Sequence, residues 1–445
     1  VEREGIVFFW SDKKDMEWTY IENISDFVGR QVEIRGWVYN KRSSGKIKFL
    51  LVRDGTGIIQ GVATEKDTEP ESFSIMENLN QESSVIVRGE VREDKRAPIG
   101  YELSIGSVEL VGNSEDYPIT PKSHGPDFLL GNRHIWIRSS KQWAILRIRA
   151  EVVKAVEDYL WERGFLRFDA PIFTPSACEG TTTLFAVDYF GEPAYLSQSG
   201  QLYCEATAAA FGKVYCFGPA FRAEKSKTRR HLTEFWQVEP EMAYAHLDDS
   251  IELASGMIEY LIKRVLKNRK RELDVLERDI SLLESIEAPF PRIRYEDAVK
   301  KVNELGEAMN FGEDFGAPQE TVLGKSYDSP IIVTHFPREI KAFYMRKEPG
   351  NKEATLSFDI LAPEGYGEIV GGGEREFEES KLKQEIEERG LPEDSFKWYL
   401  DLRRYGSVPH AGFGLGIERT VAWLSGTTHV RETIPFPRTL GRVYP

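Results

Sequence analysis

Five short runs in which apolar and polar residues alternate lie between residues 17 and 112: VEIRGWVYN, KIKFLLVRD, GIIQGVAT, SSVIVRGEV and YELSIGSVEL, split by Gly, Ser and Asp turns. Alternation at period two sends every second side chain to one face, so each run reads as a strand buried on one side. Five such strands in so short a stretch suit a small barrel, since closure removes the unpaired edges of a small sheet. The helix-like piece ESFSIMENLN interrupts them, and the Pro- and Gly-rich DYPITPKSHGPDF that follows reads as a linker. The expected division is an N-terminal extension at 1–16, a β-barrel domain at 17–112, a linker at 113–133 and a second domain at 134–445.

The second domain reads differently. KQWAILRIRAEVVKAVEDYLWERG places Trp143, Leu146, Val152, Val153, Val156, Tyr159 and Leu160 near helical period, and Gly164 stops the helix. A second long helix is expected over Ser250 to Glu272. YLSQSG, KVYCFGPAFRAE, LTEFWQVEPEMAYA, IIVTHF, KAFYM, TLSFDILA and GEIVGG read as strands. Strands and helices without regular βαβ alternation predict an α+β domain on a mainly antiparallel sheet. An apolar fraction of 41% supplies the core, and no apolar run is long enough to cross a membrane. The N-terminal VEREGIVFFWSDKKD is too short and too acidic for a signal peptide. Three cysteines (Cys178, Cys204, Cys216) without a CxxC pair argue against a zinc site or a disulfide framework and for a reducing compartment, the cytoplasm. A net charge of −14 excludes nucleic-acid binding over the whole surface but permits a local basic patch.

Phe221–Tyr244, FRAEKSKTRRHLTEFWQVEPEMAY, is two extended runs joined by a basic loop. Arg222 ends the first run, where a planar guanidinium can hold a phosphate through two parallel hydrogen bonds. Phe235 can stack on a purine, and Glu239 and Glu241 share one strand face. A solvated hairpin with a charged turn accounts for the charges alone. In FGLGIERTVAWLSG, glycines at 412, 414 and 416 allow close backbone approach before a helix expected to begin near Ile417, with Arg419 in its first turn. SFDILAPEGYGEIVGGGERE sets Asp359 and Glu368 on or beside strands, ahead of Arg375. Two hard carboxylates plus substrate phosphates are the usual magnesium ligands. Two surface acids beside a tight turn are the plainer reading of such a pair. Glu179 lies in a small-residue loop, and Gln198, Ser199 and Gln201 are neutral polar groups that could orient an amide or carboxylate.

Taken together these segments resemble the class II aminoacyl-tRNA synthetases of the aspartate/asparagine/lysine subgroup. The first class II motif is matched by the helix plus GFLRFDAPIFTP, with Pro171 at the dimer-interface proline; the second by FRAEKSKTRRHLTEFWQVEPE; the third by GFGLGIERTVAW. The resemblance runs from about residue 17 to Pro445. It implies an α+β chain, with an N-terminal oligonucleotide-binding (OB) β-barrel that reads the anticodon and a catalytic domain on an antiparallel sheet flanked by helices. It further implies a cytoplasmic homodimer that uses ATP and Mg2+. By resemblance Arg222 binds the α-phosphate, Glu224 contacts the adenine side, His231 neighbours the γ-phosphate and Phe235 stacks on adenine. Arg419 covers the other adenine face and the γ-phosphate. Asp359 and Glu368 match the magnesium ligands. Glu179 matches the holder of the α-amino group, with Ser199 and Gln201 as further amino-acid contacts.

The asparagine branch is the expected one, with tRNA-Asn, asparagine and ATP as partners. Aspartyl enzymes carry a lysine two residues after QSPQL, whereas QSGQLYC puts Cys204 there. Without that cation a buried aspartate carboxylate is costly. Arg375 would face the side-chain oxygen and Glu239 would accept from the amide NH₂, a pairing that selects asparagine. Where such enzymes commonly read GGSQRE this chain reads GGGERE, so Glu374 is expected to add negative charge near Arg375. In the barrel domain Arg30, Arg35, Lys41, Arg42, Lys46, Lys48 and Arg53 interleave with Trp37, Tyr39 and Phe49, a composition suited to single-stranded nucleic acid. By resemblance Phe49 stacks on the central anticodon base and Gln60 reads it, with Arg42 alongside; Phe49 as a barrel-core residue is the alternative. For the whole chain the alternatives are an aspartyl-type or non-discriminating synthetase, a paralogue that makes a free amino acid, and a non-catalytic OB-type binder with a regulatory ATP site.

Overall fold

The computed structural model of the chain describes residues 16–97, 99–175 and 184–445. It divides into two compact units between Gly125 and Pro126.

In the first unit the long strands are β1 (Gln31–Ser44), β2 (Ile47–Arg53), β3 (Ile58–Thr64), β4 (Ser84–Glu93) and β5 (Tyr101–Gly112), with α1 (Pro70–Asn78) between β3 and β4 and the two-residue strand Glu17–Trp18 pairing parallel to β1. β1 pairs with β2 and also with β4, and β2–β3–β5–β4 supplies the rest of the ring, so the sheet closes. A register shift between Val38 and Asn40 lets β1 change partners. Nearby, Gly36 admits the crossing: a Cβ there would lie 2.4 Å from the Arg53 carbonyl oxygen. Val32, Ile34, Val38, Leu50, Val52 and Ile59 fill the interior. Most of their sequence neighbours, Phe49 and Gln60 among them, are partly buried or exposed, as period two requires, while Glu33 and Arg53 are buried in ion pairs with Arg88 and Glu82.

The second unit contains α2 (Ser140–Glu162), α3 (Gln201–Phe211), β6 (Lys213–Phe221), β7 (Glu234–Ala243), α4 (Leu247–Asn268), β8 (Arg292–Arg294), α5 (Ala317–Lys325), β9 (Ile331–Thr334), β10 (Ser357–Ala362), β11 (Gly367–Glu374), α6 (Glu393–Arg404), β12 (His410–Gly416) and α7 (Ile417–Ser425). Eight strands form one sheet in the order β8-β9-β10-β11-β12-β7-β6, closed at the far edge by the two-residue strand Leu166–Arg167. Every pairing is antiparallel except the outermost ones, β8 with β9 and Leu166–Arg167 with β6. Helices α2, α4 and α7 bury one face of the sheet around Ile148, Val152, Met257, Leu261, Phe413 and Trp423. The other face is floored by glycine where the register aligns Asp359 with Gly371 and Gly371 with Gly414, then Gly373 with Gly412 and Gly412 with Glu241.

Three local readings change. The buried stripe of α2 runs through Ile145, Ile148, Val152, Ala155, Val156 and Tyr159, while Trp143 and Leu146 are half-exposed. Trp143 is flanked instead by the guanidiniums of Arg147 and Arg271, which cover its ring faces. The helix expected over 250–272 begins at Leu247, because His246 and Asp249 form a capping box, and ends at Asn268 before a separate short helix. KAFYM is a turn, and only Met345 bridges, to Arg375. Phe343 and Tyr344 are buried in a satellite cluster, and an apolar run that short does not distinguish strand from packed turn. Among the described residues no helix is long and apolar enough to cross a membrane.

Candidate active site

β6 and β7 form the hairpin read in the sequence, with Phe221 opposite Glu234. The Arg222 backbone N–H donates to the Thr233 carbonyl at 3.0 Å, which holds the arginine where the hairpin meets its connecting loop. Its guanidinium lies 5.4 Å from the centre of the Phe235 ring. Arg222, Glu224, His231, Phe235, Glu368 and Arg419 line one hollow on the glycine-floored face. Arg419 is fixed by donating to the Glu368 carbonyl at 2.8 Å and to the Arg230 carbonyl at 3.3 Å. Helix α7 starts at Ile417, so Glu418 and Arg419 leave its first turn in different directions. Glu418 is buried and pairs with Arg149 of α2 at 2.7 Å, which anchors the turn that presents Arg419. Burial and then the Arg419 charge hold the His231 imidazole below its usual pKa, so it is neutral near pH 7. Of the basic loop, Arg230 is buried against Glu320 at 2.8 Å and is a strut between the hairpin and α5.

A second hollow, of about 470 Å³, shares Arg222, Glu224, Gln237, Glu368 and Gly414 with the first and continues towards Ser199, Gln201, Glu239, Asp359 and Arg375. At its junction with the first, Asp359 and Glu368 converge over Gly371. A Cβ on Gly371 would come within 2.8 Å of Glu368 Oε1 and 3.3 Å of Asp359 Oδ1, so glycine keeps that space open. Asp359 is 7% exposed, and its Oδ2 accepts from Lys341 Nζ at 2.6 Å. Burial drives the Asp359 carboxyl up to about 7 against the pull of that lysine. Two carboxylates over an open floor beside a phosphate-sized hollow fit magnesium, which keeps several waters and takes one or two protein carboxylates plus phosphate oxygens.

At the deep end, Arg375 is enclosed and donates from Nε and Nη2 to both oxygens of Glu241, at 3.1 and 3.0 Å. Burial works against its charge, but Glu241 outweighs that and raises the guanidinium pKa further. Its Nη1 lies 3.6 Å from Met345 Sδ, and the residue lines the hollow. Beside it the Glu239 carboxylate accepts from the Ser199 hydroxyl, the Gly200 N–H at 2.8 Å, the Cys216 thiol at 3.3 Å and the Gln237 amide at 3.3 Å. Ser199 is thereby committed to orienting Glu239. Gln201 donates from Nε2 to Glu205 at 2.5 Å, which turns its carbonyl oxygen away from that carboxylate. Cys204 is buried in a small apolar cluster with Cys216, and both thiols are free.

Glu374 does not add its charge at Arg375. Neighbouring residues of a strand point to opposite faces, and Glu374 turns to the helical side, where it meets Arg346, His246 Nδ1 at 3.3 Å and the Leu247 N–H at 3.3 Å. Glu179 lies outside the described residues. Pro171 is exposed, and so are Ile172 and Phe173 after it. Sequence reasoning missed a buried cluster beneath Gln201: Glu205 also meets the Tyr399 hydroxyl at 2.6 Å, Arg403 Nη2 at 2.5 Å and His410 Nε2 at 2.8 Å. Burial alone would raise the Glu205 carboxyl, but Arg403 and then His410 and Arg375 hold it at about 2. The polar residues of QLYCE at the start of α3 were its only local signal.

In the barrel unit Phe49 is outside the core cluster and half-exposed on β2. The Arg42 guanidinium sits 4.2 Å from the centre of its ring and donates to Gln60 Oε1 at 3.3 Å, while Gln60 Nε2 reaches Glu102 at 3.4 Å. The three predicted anticodon residues thus share one outer face.

Residues 125–440 match the family described as tRNA synthetases class II (D, K and N), and residues 32–111 match the OB-fold nucleic acid binding domain. The asparagine–tRNA ligase of Desulforamulus reducens is 54% identical over 97% of this chain and 100% of its own length. That of Pelotomaculum thermopropionicum is 55% identical over the same shares. The structure of asparaginyl-tRNA synthetase from Pyrococcus horikoshii complexed with asparaginyl-adenylate superposes with a TM-score of 0.93 at 42% identity, covering 97% of this chain and all of that one. The chain belongs to the class II tRNA synthetases of the D, K and N group and, within that group, to the asparagine–tRNA ligases.

Proposed function

We infer that this chain makes asparaginyl-adenylate from asparagine and ATP and transfers the asparaginyl group to the 3′-terminal ribose of tRNA-Asn. The observation that carries this reading is the continuity of the two hollows through Arg222 and Glu368. A nucleotide in one and an amino acid in the other would meet at that point.

In the first step the asparagine carboxylate oxygen forms a bond to the α-phosphorus and the bond to the bridging oxygen of pyrophosphate breaks. No side chain becomes covalently attached, so the protein contributes positioning and charge. Arg222 binds the α-phosphate and, with Phe235, sets the purine plane. Glu224 contacts the adenine side, Arg419 takes the opposite adenine face and the γ-phosphate, and neutral His231 donates a hydrogen bond without adding charge. Asp359 and Glu368 would hold magnesium, which would supply positive charge beside the phosphates. In the second step the ribose 3′-hydroxyl attacks the asparaginyl carbonyl and AMP leaves.

Arg375 selects a neutral side chain because Glu241 already balances its charge; the remaining Nη1 edge donates to an amide carbonyl. Glu239, aimed by Ser199, Gly200 and Cys216, accepts from the amide NH₂ and repels a second anionic oxygen. Gln201 offers its carbonyl to the substrate ammonium, with Glu179 as the proposed second holder. On the barrel, Phe49, Arg42 and Gln60 present a stacking ring and polar edges to the anticodon. Exposed Pro171, Ile172 and Phe173, with the Tyr189 ring 5.5 Å from that of Phe173, support a homodimer edge. Free buried Cys204 and Cys216 suit the cytoplasm.

Pyrophosphate exchange measured with asparagine, aspartate and lysine tests the reading. Exchange is expected with asparagine alone; equal rates with aspartate sink it.

A further inference from the structure

The activation scheme leaves Lys341 without a task, yet its ammonium stands at the carboxylate floor. Nζ lies 2.6 Å from Asp359 Oδ2, and the side chain is 16% exposed. On its other side the ammonium is 3.8 Å from the centre of the fully buried Phe336 ring. The Lys341 carbonyl is tied down by Arg389 Nη1 at 2.7 Å. Ion pair, ring face and anchored backbone together make this a fixed cation rather than a swinging one. Asp359 is accordingly divided. Oδ2 serves the lysine, while Oδ1 faces the Gly371 floor, where Glu368 Oε1 also arrives.

We propose that Lys341 is a counter-charge that prevents Asp359 and Glu368 from holding a divalent cation on their own, so that metal entry depends on ATP. Asp359, Glu368 and the neighbouring Asp314 gather acidic groups at this end of the hollow, and the ammonium bound to Asp359 offsets part of the negative charge they present. A dication approaching Oδ1 also meets the ammonium across the same carboxylate, in a site where walls of protein weaken solvent screening. The phosphates of ATP bring the missing negative charge and reverse the balance. The metal is then admitted with the nucleotide whose leaving group it neutralises, and the enzyme does not carry a resident ion that would hold pyrophosphate in place. Lys341 acts here through Asp359 and is a positioning residue. The proposal rests on Asp359 and Glu368 being the metal ligands.

Manganese(II) titrations of the full chain, followed by the electron paramagnetic resonance signal of the free ion, read this directly without turnover. In the absence of nucleotide, K341M and K341Q are expected to bind Mn2+ at least tenfold more tightly than the parent chain, and K341R to behave like the parent. With ATP present the gap between K341M and the parent should shrink. Unchanged or weaker nucleotide-free binding in both K341M and K341Q overturns the proposal. D359N and E368Q separate the two assumptions. If they weaken ATP-dependent Mn2+ coordination while K341M gains nothing, the lysine's role fails and the ligand assignment stands. If they leave ATP-dependent coordination unchanged, the ligand assignment itself fails, and the proposal with it.

Discussion

The two units place charge in opposite ways. On the barrel face the guanidinium of Arg42 lies over a half-exposed ring and makes one long hydrogen bond to Gln60. On the floor of the second unit Arg375, Glu239, Glu241 and Glu205 are buried and nearly every polar atom has a partner before any ligand arrives. An exposed, loosely held patch can adapt to a flexible single strand, and its contacts are worth little individually. A buried network has paid its ordering cost in folding and discriminates by leaving a wrong ligand unsatisfied.

Four measurements break or sharpen that contrast. Arg222→Ala should lower asparagine-dependent pyrophosphate exchange by about 10³-fold, since it removes a charge aimed at the reacting phosphate. A fall of only a few-fold would mean that the hairpin end is not where the α-phosphate sits. Glu239→Gln should cost about 10²-fold in kcat/KM for asparagine, because a buried site built to accept an amide then meets a competing donor; unaltered kcat/KM would remove Glu239 from recognition. The third concerns acid. The Glu205 carboxyl is held at about 2 against an ordinary 4.5, so the folded state binds its proton less readily than the unfolded chain. Its contribution is therefore present above pH 4.5 and is lost as pH falls from there towards 2, roughly 3 kcal/mol in all. Denaturant titrations of the parent and Glu205→Gln between pH 6 and 3 should show a flatter acid limb in the variant; parallel limbs would contradict the buried pairing. The smallest effect belongs to the barrel: Phe49→Ala should reduce tRNA charging about tenfold, the worth of one stacked base, and leave pyrophosphate exchange intact. Equal loss in both assays would erase the difference between the two regions.

What could be read from the chain follows the range of the interactions. Strand alternation, the Gly-rich turn before Ile417 and the hairpin around KSKTRR are local, and each appears where the sequence places it. The error over Glu374 came from treating a sequence neighbour of Arg375 as a spatial one, although adjacent strand residues face apart. Glu205 and Arg403 are 198 positions apart, and nothing local marks either as the other's partner. Lys341 was hidden in a run that reads as apolar strand, and only the turn at Phe343 and Tyr344 brings its ammonium to Asp359.

The glycine floor has a consequence for inhibition. A Cβ on Gly412 would lie 2.2 Å from Glu241 Oε2, and one on Gly371 would crowd Glu368. An inhibitor resting on Gly371 touches main chain that no substitution can reshape without displacing Glu368, one of the residues proposed to hold magnesium and ATP. Resistance to such a compound would have to arise at the rim, where side chains are free to change, and a molecule confined to the floor gives it nowhere to start.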